Sequence, residues 1–166
     1  MEVEWKAFEL HPETPPEGKP RRQTGGSGEM ASSLKALCDE IGIQLKRPDF
    51  TASSRLALEA TEYAKEESRF EQFHAAVFKA YWLENKNIGL VSVLREIAET
   101  CGMNGDEMEG RLYDGRYAWR IDGQTREAAL LGVTGIPAFI VGDYLIEGAR
   151  PYDIFRLAVE LNQDKG

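Results

Sequence analysis

Thiols are the most readily activated groups in this chain, and there are two of them, Cys38 and Cys101. They stand 63 positions apart (101 − 38), which is neither the Cys-x-x-Cys spacing of a redox or zinc site nor the pattern of a disulfide-stapled secreted module. A bridge between them would be unusual in a reducing cytosol. Cys38 shares a helical face with Leu34, Leu37 and Ile41. Cys101 closes a helix, where the negative end of the dipole opposes a thiolate. Free cysteine is among the residue types most often buried, so both read as packing residues.

The other polar candidates are weaker. Glu71 and His74 have the Glu-x-x-His spacing of di-metal helical bundles, but such sites need a second copy and further carboxylates, and the pattern occurs once. His74 lies on an apolar face and reads as a core or boundary histidine. His11, in a proline-rich loop, reads as solvated. Arg116, Tyr117, Trp119 and Arg120 would suit a groove for an anionic ligand such as glutathione. A solvated helix face with one half-buried tryptophan is the simpler reading. Asp143 serves a turn. TGGSG at 24–28 lacks both the Lys-Ser/Thr ending and the leading strand of a phosphate loop. Neither a metal site nor a catalytic residue is expected among these positions.

Hydrophobic period defines the elements that carry these side chains. Glu2 to Leu10 alternates, with Val3, Trp5 and Ala7 on one side and Glu2, Glu4 and Lys6 on the other, as in a half-buried strand. HPETPPEGKPRRQTGGSGE follows, dense in proline, glycine and charge, and predicts a long, partly mobile surface loop. Ser32 or Ser33 caps a helix that Gly42 ends, and Ile43 to Pro48 connects onward. Ser53 to Lys65 predicts a helix with Leu56, Ala60, Tyr63 and Ala64 inward. Glu66 to Glu84 predicts the clearest helix, its core stripe formed by Phe70, Phe73, His74, Val77, Phe78, Tyr81 and Trp82. Three more helices follow: Val91 to Cys101, one capped by Asn104 and Glu107, and one from Ala118 to Ala129. GVTGIPAFIVGDYLIEGARPYDIF then supplies a Gly-Ile-Pro corner and a hairpin of Ala138–Val141 and Tyr144–Ile146 around Gly142-Asp143. A last helix, entered through Pro151, buries Ile154, Phe155, Ala158 and Val159.

With 166 residues, 42% hydrophobic and 29% charged, the chain predicts one domain with a proper core. A net charge of −8, relieved only by Lys19, Arg21 and Arg22, argues against nucleic acid as a partner. No apolar run approaches the ~18 residues of a membrane span, and the amino terminus is acidic rather than signal-like. The expected compartment is the cytoplasm.

The order strand, helical block, hairpin, helix, with Gly-Ile-Pro at the hairpin's entrance, resembles the DsbA-like thioredoxin-fold oxidoreductase family, in its FrnE-like branch. The likeness runs along nearly the whole chain, through EVEWKAFEL into HPETPPEG, SRLALEATEYAK before FEQFHAAVFKAYW, and GVTGIPAFIV before YLIEGARPYDIF. It implies an α/β, thioredoxin-like fold with an inserted all-helical block, as one domain over 1–166. Residues 1–50 and 132–166 would form the thioredoxin-like part and 51–131 the mainly helical insertion. It also implies a cis bond between Ile136 and Pro137 and a substrate-binding corner at Gly135, Ile136 and Pro137. An X-Pro bond carries only a small cis penalty. Ile136 would offer its N–H and C=O to an extended, thiol-containing polypeptide by strand addition, and Pro137 has no N–H to compete.

Family members bear Cys-x-x-Cys at a helix N-terminus after a first strand, whereas this chain opens at what corresponds to the family's second strand and lacks both features. The expectation is an oxidoreductase-like body that is inactive as a dithiol enzyme. Related 2-hydroxychromene-2-carboxylate isomerases and kappa-class glutathione transferases imply an alternative in which glutathione is cofactor and partner. A non-catalytic peptide-binding module is a third reading. Without the first strand, two apolar sheet edges would stand unpaired. Either the natural protein is longer, or a homodimer fills the gap.

Overall fold

The structure is a computed structural model that describes residues 2–21, 32–43 and 48–163. Arg22, the TGGSG stretch, most of the 43–48 connector and the side chains of Ser32, Ser33, Leu34 and Leu37 lie outside the described residues. Contacts divide the chain into two units, His11–Trp119 and Met1–Leu10 with Arg120–Gly166.

In the His11–Trp119 unit, residues 11–21 of the proline-rich loop make defined backbone contacts. β1 (Lys19–Pro20) pairs antiparallel with β2 (Phe50–Thr51), and the Arg21 N–H donates to the Asp49 carbonyl at 3.1 Å. Asn87 Nδ2 donates to the Pro16 carbonyl at 3.1 Å. Gly89 allows that approach, since a Cβ there would come within 2.5 Å of the same carbonyl oxygen. Prolines restrict the unfolded segment, so ordering it costs less entropy than the composition implies. α1 (Ser32–Ile41) carries Cys38 into a buried position.

The core of this unit comes from α2 (Arg55–Glu66), α3 (Phe70–Trp82), α4 (Val91–Thr100) and α5 (Gly105–Tyr113). Their apolar faces meet at Ala60, Tyr63, Phe73, Leu94 and Met108, all fully buried. The helix expected from Glu66 begins later, because the chain turns through Ser68, at φ +55°, before α3. The expected core stripe is also too broad. Phe73 and Val77 are buried, while Phe78 is 54% exposed, since α2 and α4 cover only one side of α3. Asn104 caps α5 as its spacing predicts, accepting from the Glu107 N–H at 3.1 Å. Beyond α5, Tyr117 is fully buried, and its hydroxyl donates to Glu66 Oε2 at 2.7 Å. Arg111 joins them, 2.9 Å from Glu66 and 3.1 Å from the Tyr117 hydroxyl, with its guanidinium over the Tyr63 ring.

The second unit corrects one expectation. Residues 2–9 join no ladder, and Val3 and Trp5 are largely exposed. Alternation in the sequence sets which side chains share a face, but a strand exists only where a neighbour accepts its hydrogen bonds. Here the Ala7 N–H donates to Gln124 and the Glu9 N–H to Thr125 Oγ1, both on α6 (Ala118–Leu130).

β3 (Ala138–Val141) and β4 (Tyr144–Glu147) form a sheet of their own, paired Ala138 to Glu147 through Val141 to Tyr144. α7 (Tyr152–Gln163) packs on one face, where Phe155 meets Phe139 edge to face at 4.8 Å. The turn requires Gly142, which has φ +58° and whose Cβ position lies 1.9 Å from Asn162 Oδ1. Gly142→Ala should therefore lower stability by about 1–3 kcal/mol through backbone strain and displacement of Asn162. Thermal unfolding checks this, and an unchanged melting temperature would contradict it.

Candidate functional site

The Gly135-Ile136-Pro137 corner is set by the elements on either side. α6 ends with the Val133 N–H donating to the Ala128 carbonyl at 3.0 Å, and Val133 is buried, which fixes where the chain leaves the helix. Thr134 Oγ1 then donates to Glu147 Oε1 at 3.1 Å. The Ile136–Pro137 bond is cis. The Pro137 carbonyl accepts from the Gly148 N–H at 2.8 Å, which places Pro137 opposite Gly148, one step beyond the Ala138–Glu147 pair.

That bond fixes the direction of every backbone group along β3. Alternate residues of an antiparallel ladder turn their polar groups toward and away from the partner strand. Pro137, Phe139 and Val141 turn theirs to the β4 side, so Ala138 and Ile140 turn theirs to the opposite edge. Among the described residues, no strand lies on that edge. Ile136, at its start, is 54% exposed. Between β4 and the start of α7, Leu145, Glu147, Arg150 and Ile154 line a groove of about 380 Å³. Arg150 Nε donates to the Glu147 carbonyl at 2.8 Å, which steadies its guanidinium at the rim. Glu147 and Arg150 carried no signal in the sequence; the hairpin register sets Glu147 opposite Ala138, within reach of Thr134, and Arg150 follows through its bond to the Glu147 carbonyl.

The other candidate residues do not gather into a site. Cys38 and Cys101 are both free thiols, the first buried and the second half-buried. Burial pushes the Cys101 thiol above its ordinary pKa against the weaker pull of Arg69, which keeps it protonated. Of the Arg116–Arg120 group, Tyr117 turns into the core and Trp119 is 69% exposed, so the four do not line one groove. His11 is exposed, 3.8 Å from Glu13, and Asp143 is exposed in the turn. Among the described residues, no three His, Cys, Asp or Glu side chains lie together as metal ligands. No described helix is long and apolar enough to cross a membrane.

His74 lies between Phe70 and Phe78, with ring centroids 5.2 and 4.7 Å away. Burial holds its pKa below the ordinary value, opposed by Glu71 and aided by Lys65. The unfolded chain therefore takes up this proton more readily than the folded one. Stability should fall as pH drops below the unfolded value of about 6.5, until the lower folded value is passed. Urea unfolding between about pH 7 and 5 should show a shallower fall in His74→Gln than in the parent. Identical slopes would contradict it.

The hairpin and the helix returning across one face sit within a thioredoxin-like fold, shown by likeness to a known family and to solved structures. It belongs to the family of the DSBA-like thioredoxin domain, whose model matches residues 1–160. The chain is 29% identical over 171 residues to the uncharacterized protein YwbO of Bacillus subtilis (strain 168), spanning 99% of this chain and 84% of that one. A probable DsbA oxidoreductase from Streptomyces coelicolor superposes with a TM-score of 0.79 at 25% identity, over 97% of this chain and 75% of the other. A 2-hydroxychromene-2-carboxylate isomerase superposes with a TM-score of 0.64 at 26% identity, over 79% of this chain and 63% of the other.

Proposed function

We propose that this chain is the substrate-holding body of a DsbA-family thiol–disulfide oxidoreductase, with Gly135, Ile136 and Pro137 receiving an extended, thiol-containing polypeptide. The observation that carries the reading is the outward direction of the Ala138 and Ile140 backbone groups, in line with the exposed corner at Ile136. An extended chain laid there gains main-chain hydrogen bonds by strand addition. These residues contain no Cys-x-x-Cys, and Cys101 stays protonated, so binding is expected from them without dithiol exchange of their own.

Titration of ¹⁵N-labelled protein with an extended cysteine-containing peptide tests this. The Ile136, Ala138 and Ile140 amides should shift together, and Ile140→Pro, which removes an outward N–H without touching the β4 ladder, should weaken binding. Shifts confined to other regions would sink the reading. Likeness to the isomerase supports a second reading with glutathione as the ligand. Glutathione moving the Ile136 amide, where peptides do not, would favour it. A second copy pairing through the same β3 edge is the third occupant we infer. Sedimentation at rising concentration would reveal it, and Ile140→Pro should abolish it.

A further inference from the structure

Of the four asparagines in the chain, Asn85, Asn87, Asn104 and Asn162, only Asn104 precedes a glycine. That pair opens α5, and each member is held there by a separate need. Asn104 is the cap, its Oδ1 accepting from the Glu107 N–H at 3.1 Å and its carbonyl from the Met108 N–H at 3.1 Å. Gly105 is buried beside α4, where a Cβ would come within 2.7 Å of Glu99 Oε1 and 2.8 Å of Arg95 Cγ. Capping therefore keeps the asparagine and packing keeps the glycine. Together they make the most reactive Asn-x pair, since a glycine leaves its own amide nitrogen unshielded and its backbone free to turn.

The chemistry needs only water. The Gly105 nitrogen attacks Asn104 Cγ, a bond forms between them, the Cγ–Nδ2 bond breaks, and Nδ2 leaves as ammonia with the Gly105 proton. Water then opens the succinimide at one of its two carbonyls, giving aspartate, or isoaspartate with the main chain rerouted through the side-chain carboxyl. The folded geometry opposes the first step. At an Asn104 ψ of 105°, the Gly105 nitrogen points away from Cβ, and the Cα–C bond must turn through more than a right angle to close the ring. That rotation breaks the Glu107 and Met108 bonds and pulls Gly105 from its place beside α4. With nine residues, α5 is too short to persist without its first turn, so it opens as a unit.

We propose that Asn104 is a site of spontaneous deamidation gated by the opening of α5, and that its two products act in opposite directions. Aspartate caps a helix as well as asparagine and adds charge of the sign that a helix start favours. Isoaspartate inserts a methylene into the main chain and misplaces the capping oxygen, which loosens the hold of α5 on the core through Met108 and Leu112. The site belongs to the helical unit and does not depend on what the Ile136 corner binds.

The full chain is aged in mildly alkaline buffer, folded and in concentrated urea, and peptide mapping follows the fragment that holds Asn104. The folded chain should convert at least about fivefold more slowly than the unfolded one, the equivalent of one helix cap. Leu112→Val, which takes one buried methylene from α5, should speed conversion of the folded chain about fourfold. The isoaspartate chain, separated by chromatography, should unfold at a lower denaturant concentration than the parent. Asn104→Asp and Asn104→Ser, both good caps, should unfold near the parent, and Asn104→Ser should keep its midpoint on ageing. Equal rates in the folded and unfolded chains, no effect of Leu112→Val, conversion of Asn85, Asn87 or Asn162 ahead of Asn104, or an isoaspartate chain as stable as the parent would each overturn the proposal.

Discussion

Replacing Phe73 with alanine is expected to cost about 3–5 kcal/mol of stability and to lower the urea midpoint by roughly 2 M. Phe73 is fully buried at the centre of the cluster that joins α2, α3 and α4, with Tyr63, Leu94 and Met108 in the same core. Cutting back its ring removes the transfer free energy of an aromatic side chain and leaves a cavity that three helices cannot all relax to fill. A domain's whole stability is commonly about 5–15 kcal/mol, so this one change takes a large share. Phe78, five residues along the same helix, supplies the control. It is 54% exposed, and its replacement by alanine should cost under about 1 kcal/mol. Equal losses at the two positions would mean that the stripe is buried as a whole and that the packing described for α3 is wrong.

Arg111→Met is expected to cost about 2–3 kcal/mol, more than Tyr117→Phe at about 1–2 kcal/mol. The arginine lies between Glu66 and Glu107 and bonds the Tyr117 hydroxyl, with a side chain only 24% exposed. Removing it leaves two carboxylates without their shared cation, whereas removing the tyrosine hydroxyl leaves Arg111 and Glu66 paired at 2.9 Å. Because the three groups form one network, the double variant should cost less than the sum of the singles. Denaturant unfolding of the four proteins measures that coupling. Strict additivity would show that the hydroxyl and the guanidinium act independently and that the bonds drawn between them contribute nothing jointly.

Where an element is specified by its own residues, it was legible in the sequence. The Asn104 cap needs only Glu107 three positions on, and the hairpin needs only Gly142 between two apolar runs. The Gly-Ile-Pro break before the hairpin was visible in the same way, its cis bond only through the family resemblance, and Glu147 and Arg150 not at all, because register across a turn decides which side chains arrive there. Failures came where a distant partner decides the outcome. Residues 2–9 alternate faultlessly, yet find side chains of α6 in place of a strand. Nothing in the proline-rich segment announces that Pro16 meets Asn87 and Gly89, some seventy positions away. Tyr117 read as surface because Glu66 and Arg111, which draw its hydroxyl inward, come from two other helices.

The outer edge of β3 is short, and that brevity sets a clock. Its outward residues are Ala138 and Ile140, with Ile136 just before them, and the turn at Gly142 ends the run. Three residues with one N–H and one C=O each offer at most six hydrogen bonds to an incoming chain. At no more than about 1.5 kcal/mol net for each bond, against an association cost of at least about 4 kcal/mol, the dissociation constant is no tighter than about 0.2 mM. With association near 10⁶ M⁻¹ s⁻¹, a partner laid on this edge would depart within about 5 ms. A typical turnover takes about 100 ms, so on the reading proposed above, release from such an edge would not limit the cycle. A longer strand would grip harder and let go too late.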